Sequence, residues 1–134
     1  MKWLDTNIIL RYLTGDDPAK AQACLALFQR VQHGDEELAT TETIIAEVTY
    51  VLTTQYNLTH EDIAARVRPL LALPGLKLTH KRVVQQALER YAESPRLDFE
   101  DTLSVEHMAR LGIREIVSYD RDFDRVPGIT RHEP

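Results

Sequence analysis

The sequence contains a single cysteine, Cys24, among its 134 residues. One cysteine can form neither an internal disulfide nor a thiolate cage around a metal ion, so both kinds of stabilisation are excluded. Scarcity of cysteine is usual for proteins of a reducing compartment. We therefore expect the protein to be cytoplasmic.

Long hydrophobic runs are also missing. No stretch approaches the roughly 18 apolar residues that a membrane-spanning helix needs, and Asp5 precedes any apolar run that could serve as a signal peptide. We expect no membrane partner. Apolar residues make up 43% of the chain and charged residues 28%, which is typical of soluble globular proteins. The length suits one domain, expected to span residues 1–134.

Basic residues are outnumbered, since 21 Asp and Glu residues against 16 Lys and Arg residues give a formal net charge of −5. A negative protein is at first sight a poor partner for nucleic acid, because Lys and Arg drive binding to phosphates. Carboxylates gathered around divalent cations would leave the rest of the molecule nearly neutral, and a local basic patch would remain possible. Net charge therefore does not decide the class of partner.

Apolar residues recur at helical spacing in several segments that are separated by short extended segments and by turn residues. The helices are predicted at residues 18–32, 41–55, 59–72, 81–92 and 98–111, and the strands at residues 1–5, 38–39, 76–78 and 115–118. No element is assigned between residues 5 and 18, and the C-terminal tail is expected to be irregular. Alternation of strands and helices predicts an α/β fold with a central, mostly parallel sheet.

Two aspartates follow predicted strands. Asp5 follows the first strand and Asp120 follows the strand near residues 115–118. Ligands of open α/β sheets bind beyond the carboxyl ends of the strands, so both are candidate site residues. Each taken alone is also well explained as a turn or helix-cap aspartate.

Two further acids lie on predicted helices. On a helical wheel, Asp101 falls on the same face as Val105 and Met108, and Glu47 falls at the border of the apolar stripe of its helix. Both carboxylates are expected to lean inward. An ionised carboxylate that is buried must be paired, protonated or bound to a metal ion. Pairing with an arginine is the simplest explanation for one such acid, but a shared site explains several together.

A cluster of carboxylates favours hard cations such as Mg²⁺ or Mn²⁺. A bound cation of this kind lowers the pKa of a coordinated water and offsets charge that develops on a phosphate, which makes phosphodiester hydrolysis the natural chemistry. A phosphatase, a DNA-cutting nuclease and a non-catalytic, metal-stabilised binding domain are alternatives. The segment Asp5-Thr6-Asn7 lacks the D-x-D pattern of an aspartyl-phosphate phosphatase, which makes that alternative weaker.

Four short motifs are similar to those of a known family. The segment at residues 4–10 (LDTNIIL) resembles the opening motif of PIN domains, in particular those of VapC-type toxins of prokaryotic toxin–antitoxin pairs. Residues 46–48 (AEV), 98–103 (DFEDTL) and 118–123 (SYDRDF) resemble the second, third and fourth acidic positions of that family, in the same order. The resemblance spans nearly the whole chain.

This resemblance implies a three-layer α/β/α PIN fold and an endoribonuclease that depends on Mg²⁺ or Mn²⁺. It also implies a homodimer and a small cognate antitoxin whose C-terminal segment covers the acidic groove. Transferred position by position, the acidic quartet comprises Asp5, Glu47, Asp101 and Asp120. Asp5 and Asp101 would be the direct metal ligands, and the other two would hold water, orient the nucleophile or bind a second cation.

Four neighbouring residues are expected to support the quartet. Asn7 and Ser118 match polar positions beside the first and fourth acids. Asp98 competes with Asp101 for the third position, and we favour Asp101 because Asp98 is well placed as a helix N-cap. Asp122 lies close to Asp120 and is interpreted as an auxiliary or helix-start residue.

Overall fold

The computed structural model describes residues 1–134. It contains five short strands, six α-helices and one 3-10 helix, which follow one another along the chain as β1 (Lys2–Trp3), α1 (Thr6–Thr14), α2 (Pro18–Gln32), β2 (Leu38–Ala39), α3 (Glu42–Thr54), α4 (His60–Leu71), β3 (Leu76–Lys77), α5 (Lys81–Glu93), α6 (Phe99–Leu111), β4 (Glu115–Val117), the 3-10 helix (Arg121–Arg125) and β5 (Thr130–His132). The predicted α/β class is confirmed.

All strand pairs are parallel, but the strands form two groups. One sheet has the order β1-β2-β3, and the other consists of β4 and β5. Lys2 lies opposite Leu38, which in turn lies opposite Leu76, and Ile116 lies opposite Arg131 in the second group. No hydrogen-bonded pairing joins β1 to β4, so the parallel sheet is divided between these two strands.

Side-chain caps explain where three of the predicted helices begin. The hydroxyl of Thr41 accepts a hydrogen bond from the N–H of Ile44 at the start of α3, and Thr59 caps α4 in the same way. Asp98 caps α6 by accepting from the N–H of Asp101 at 2.9 Å. Caps of this type satisfy N–H groups that have no partner inside the helix.

Two parts of the chain differ from the sequence prediction. Helix α1 was not predicted, although Ile9 on its inner face is fully buried and Gly15 ends it in the left-handed conformation at φ 64°. The tail is not irregular, since it contains the 3-10 helix and strand β5. Strand β5 reads Thr-Arg-His, so no apolar alternation indicates it; its regularity comes from pairing with β4.

The apolar interior is divided unequally. A main core of 21 buried residues packs beneath the first sheet and helices α1 to α6. A second cluster is much smaller and consists of Leu97, Val105, Phe123 and Val126. The second cluster packs the 3-10 helix against α6 and the segment before it, and Asp98 and Asp120 are the N-cap residues of these two helices.

Single residues outside the candidate site differ in burial. Cys24 is buried, and burial raises the pKa of its thiol. Phe28 is buried and its ring lies 4.6 Å from that of Tyr12. Trp3 is 61% exposed and is therefore outside the core. None of the helices is long and apolar enough to span a membrane.

Candidate active site

The first pair of candidate acids lies where β1, α1 and α3 meet. Asp5 occupies the N-cap position of α1, but its side chain accepts no capping hydrogen bond, and the residue is exposed. The next residue, Thr6, is buried, and its hydroxyl donates a 2.7 Å hydrogen bond to Oε2 of Glu47. Thr6 therefore fixes the carboxylate of Glu47 beside the start of α1.

Glu47 does not lean into the core as expected. Its neighbours Ala46 and Val48 on α3 are buried, whereas Glu47 itself is exposed. The helical wheel placed it at the edge of the apolar stripe, and at such an edge a long side chain can turn its charged end to solvent. The expectation of an inward carboxylate is wrong for Glu47.

The carboxylate of Asp101 leans inward in part, as expected. The residue is half-buried in the first turn of α6, and its carboxylate faces the N–H of Asp98 at 3.4 Å, which completes a reciprocal capping box with that residue. Burial raises the pKa of Asp101 to about 6, and the negative charges of Asp98 and Asp120 contribute. Asp98 is thus confirmed as an N-cap, and it lies close enough to Asp101 to affect its ionisation.

Asp120 is held by backbone geometry at the end of β4. Its N–H donates to the hydroxyl oxygen of Ser118 at 3.0 Å, and its carboxylate accepts from the N–H of Asp122 at 2.9 Å. The carboxylate of Asp122 lies 3.7 Å from the guanidinium of Arg125. Ser118 and Asp122 therefore orient Asp120 at the start of the 3-10 helix, and Asp122 is a helix-start residue as predicted.

A cavity of about 670 Å³ lies between α3 and α6, and Glu47 is the member of the acidic quartet that lines it. Glu47 lines one wall, and Glu100, which is adjacent to Asp101, lines the other. His107 also lines it and pairs with Glu42, with 2.9 Å between Nε2 and Oε2. The groove is acidic, since three glutamates face it.

Sequence reasoning missed two contributors to this arrangement. Thr6 lies inside the first motif, between Asp5 and Asn7, and an apolar-face test cannot reveal a hydroxyl that binds a carboxylate 41 residues away. Glu100 lies inside the third motif, but the sequence assigns it no separate role. Asn7 is exposed and forms no side-chain hydrogen bond within the chain, so its supporting role stays a prediction.

The positions of the acids limit how they can hold a metal ion. No three His, Cys, Asp or Glu side chains lie close enough to hold one ion together in this conformation. The donors are nevertheless carboxylate oxygens, which Mg²⁺ and Mn²⁺ prefer. The raised pKa of Asp101 reflects burial first and then repulsion by Asp98 and Asp120, and a cation would relieve that repulsion. The chemistry of the donors fits a hard divalent cation, whereas joining the two groups around one ion requires side chains to move.

Comparison with known proteins identifies the family. A family model described as the PIN domain matches residues 2–129. The chain belongs to the PIN-domain family. It is 29% identical over 126 residues to a protein of Aquifex aeolicus (strain VF5) named VapC ribonuclease, and the match covers 94% of this chain and 92% of that protein. The resemblance inferred from the four motifs is confirmed.

Among solved structures, the chain is similar to Mycobacterium tuberculosis VapC20, which is described as a toxin that cleaves the sarcin-ricin loop. The two chains share 18% identity, with a TM-score of 0.44 and full coverage of both chains. At these values the similarity is distant.

Proposed function

We propose that this PIN-domain protein is a metal-dependent endoribonuclease that acts as the toxin of a toxin–antitoxin pair in the cytoplasm. Its relationship to a protein named VapC ribonuclease supports this function. The observation that carries the proposal is the position of the motif acids. Asp5, Asp98 and Asp120 are the N-cap residues of α1, α6 and the 3-10 helix, and Glu47 lines the acidic groove. Burial raises the pKa of Asp101, and the negative charges of Asp98 and Asp120 add to this rise, so these three acids lie near one another.

Asp5 and Asp101 would hold Mg²⁺ or Mn²⁺. The cation would supply Lewis acidity and lower the pKa of a bound water. Glu47, held by Thr6, and Asp120 would orient the attacking water or bind a second cation. Phosphodiester hydrolysis then needs an RNA strand positioned with its scissile phosphate near the quartet.

Two protein partners are part of the proposal. The acidic groove lined by Glu42, Glu47 and Glu100 has the charge expected for a site that a basic segment of a cognate antitoxin covers,. A homodimer would cover exposed apolar side chains, of which Trp3, Val117 and Tyr119 are 61%, 70% and 72% exposed. Burying such side chains in an interface is favourable.

The proposed activity is tested with protein purified free of antitoxin and incubated with total cellular RNA in Mg²⁺, in Mn²⁺ and in excess chelator. We expect metal-dependent cleavage that Asp5→Asn and Asp101→Asn abolish. Asp62→Asn is the matched control, because Asp62 holds the same position in α4 that Asp101 holds in α6. Circular dichroism verifies that each variant is folded.

Metal-dependent cleavage that both site variants lose and the control keeps would support the proposal. Full activity of either site variant would contradict the role of that aspartate. Absence of cleavage in every metal would favour the metal-stabilised binding domain, and cleavage of DNA or of phosphate monoesters in parallel reactions would favour the other enzymes.

A further inference from the structure

A second cavity, of about 710 Å³, lies between α5, α6 and the segment that follows the 3-10 helix. Three arginines line it, namely Arg90, Arg96 and Arg125. We call it the arginine cavity. It is separate from the acidic groove between α3 and α6, and no residue of the acidic quartet lines it.

The three guanidinium groups differ in their partners. Arg90 donates to Glu106 at 2.9 Å, and both line the cavity, so its charge is neutralised. Arg125 has only the 3.7 Å contact with Asp122, and its side chain is 60% exposed. Arg96 forms no ion pair. Exposed pairs of the Arg125 type contribute little, so Arg125 and Arg96 both remain able to bind an anion.

The acids of the cavity do not cancel these two charges. Glu106 is occupied by Arg90. Glu89 accepts two hydrogen bonds from Arg68, at 2.6 Å and 3.0 Å. Glu93 is the remaining lining carboxylate. The groups without a strong partner therefore carry two positive charges and one negative charge.

Both arginines are adjacent in sequence to buried residues that pack together. Arg96 precedes Leu97 and Arg125 precedes Val126, and these two apolar residues are 4% and 5% exposed in the small second core. The backbone at each arginine is thereby anchored against the other. Two arginines on different segments are held toward one cavity, which reduces the entropy lost when they bind a common ligand.

The arginine cavity also adjoins the acids of the proposed active site. Leu97 lines it, and the next residue is Asp98. Arg125 ends the 3-10 helix that Asp120 begins. A strand whose scissile phosphate lies at Asp101 and Asp120 would therefore extend toward Arg96 and Arg125.

We propose that Arg96 and Arg125 bind a backbone phosphate of the RNA substrate outside the scissile position. This inference rests on the proposed ribonuclease function. Guanidinium groups match phosphate oxygens through paired, charge-assisted hydrogen bonds. The cavity thus gives a protein of net charge −5 a local site for the substrate backbone.

The test compares Arg96→Gln, Arg125→Gln and the double variant with Arg114→Gln. Arg114 is an exposed arginine before the amino end of β4, so its replacement removes the same charge at the opposite end of that strand from Asp120. For the double variant we expect KM for RNA to rise roughly tenfold, the loss expected for a charge-assisted contact. Because the contact holds substrate before and during reaction, kcat should stay at the wild-type value.

A binding measurement provides a readout that does not require cleavage. Fluorescence anisotropy of labelled single-stranded RNA is measured at increasing salt in an Asp101→Asn background, with and without the arginine replacements. A plot of the logarithm of the RNA-binding constant against the logarithm of the salt concentration has a negative slope. Loss of one phosphate contact should reduce the magnitude of that slope by about 0.7. Arg96→Lys should retain part of the affinity, because its charge remains.

The outcomes separate this inference from the function on which it rests. Failure of the wild-type protein to cleave or bind any RNA would overturn the proposed function. A second outcome is that the wild-type protein cleaves RNA while the double variant shows the same KM and the same salt slope as Arg114→Gln. That result would overturn only the phosphate site. A fall in kcat at unchanged KM would also overturn it. Thermal melting verifies folding, and the single variants serve if the double variant is unstable.

Discussion

Replacement of Asp101 by asparagine should stabilise the metal-free protein at neutral and alkaline pH. Burial, together with the charges of Asp98 and Asp120, raises the pKa of Asp101 from 3.8 to about 6 in the folded chain. The folded state therefore binds this proton more tightly than the unfolded state. Stability falls as the pH rises from about 4 to about 6 and stays reduced above that range.

The pKa difference between the folded and unfolded states sets an upper limit to the stabilisation expected for Asp101→Asn. One pKa unit corresponds to about 1.4 kcal/mol, so full transmission of the shift would give about 3 kcal/mol. Asp101 is only half-buried, and solvent screening reduces the interaction to about 1 kcal/mol. Asparagine keeps an oxygen that can accept the hydrogen bond from Asp98. We therefore expect the melting temperature of Asp101→Asn to exceed that of the wild type by roughly 3 to 5 °C at about pH 8.

The assay is thermal and urea unfolding in chelator at about pH 4 and about pH 8. At about pH 4 the wild-type carboxyl is mostly protonated, so the gain should largely disappear. Asp62→Asn is the matched control, since Asp62 is exposed at the same helix position, where loss of a negative charge removes a favourable dipole interaction. An equal gain at both pH values, or destabilisation of Asp101→Asn at about pH 8, would refute the electrostatic reasoning.

Three other predictions concern the metal, a buried hydroxyl and a tight glycine. Excess Mn²⁺ should raise the melting temperature of the wild type more than that of Asp101→Asn, and equal shifts in calorimetry would contradict binding at this carboxylate. Thr6→Val should cost about 1 kcal/mol in urea unfolding and reduce RNA cleavage, because Glu47 loses its 2.7 Å hydrogen bond, whereas Thr6→Ser should preserve both,. Gly75→Ala should cost about 1–3 kcal/mol, because a Cβ there would lie 2.8 Å from Cγ1 of Val31; an unchanged urea midpoint would show that the chain relaxes around it,.

The predictable parts of the fold are those specified by nearby residues. Thr41, Thr59 and Asp98 each begin a helix within one residue of the predicted position, because the cap and its N–H partner are three residues apart. Gly112 ends α6 at φ 72°, a conformation that glycine adopts readily,. Such signals need no tertiary structure.

The missed parts depend on distant residues or on overlapping signals. Strand β5 is regular because Ile116 of β4 pairs with Arg131, and nothing within residues 130–132 indicates this. Helix α1 follows β1 after only Leu4 and Asp5 and coincides with the first motif, so no turn signal separates its helical period from the strand. The 61% exposure of Trp3 depends on distant residues in the same way, since an apolar residue on a strand is buried only if an element covers that side.

The site was partly predictable, because local sequence patterns specify some of its residues. The rule for strand ends selected Asp5 and Asp120, and the helical wheel selected Asp101, which is half-buried. The wheel could not decide the burial of Glu47 at the edge of its stripe. The roles of these four residues in catalysis stay predictions, and the hydrogen bonds of the structure specify how each is held.

The division of the sheet makes the four acids unequal as ligands. Asp5 follows β1 and Asp120 follows β4, so the two come after strands of different sheets. Burial and, after it, the negative charges of Asp98 and Asp120 raise the pKa of Asp101, so a cation beside Asp101 would neutralise charge in the second group,. We therefore expect the first cation to contact this group, and the contribution of Asp5 to require movement of one group toward the other. Proton release on metal binding follows from this order, because a cation that displaces the proton of Asp101 near pH 6 must release it to solvent.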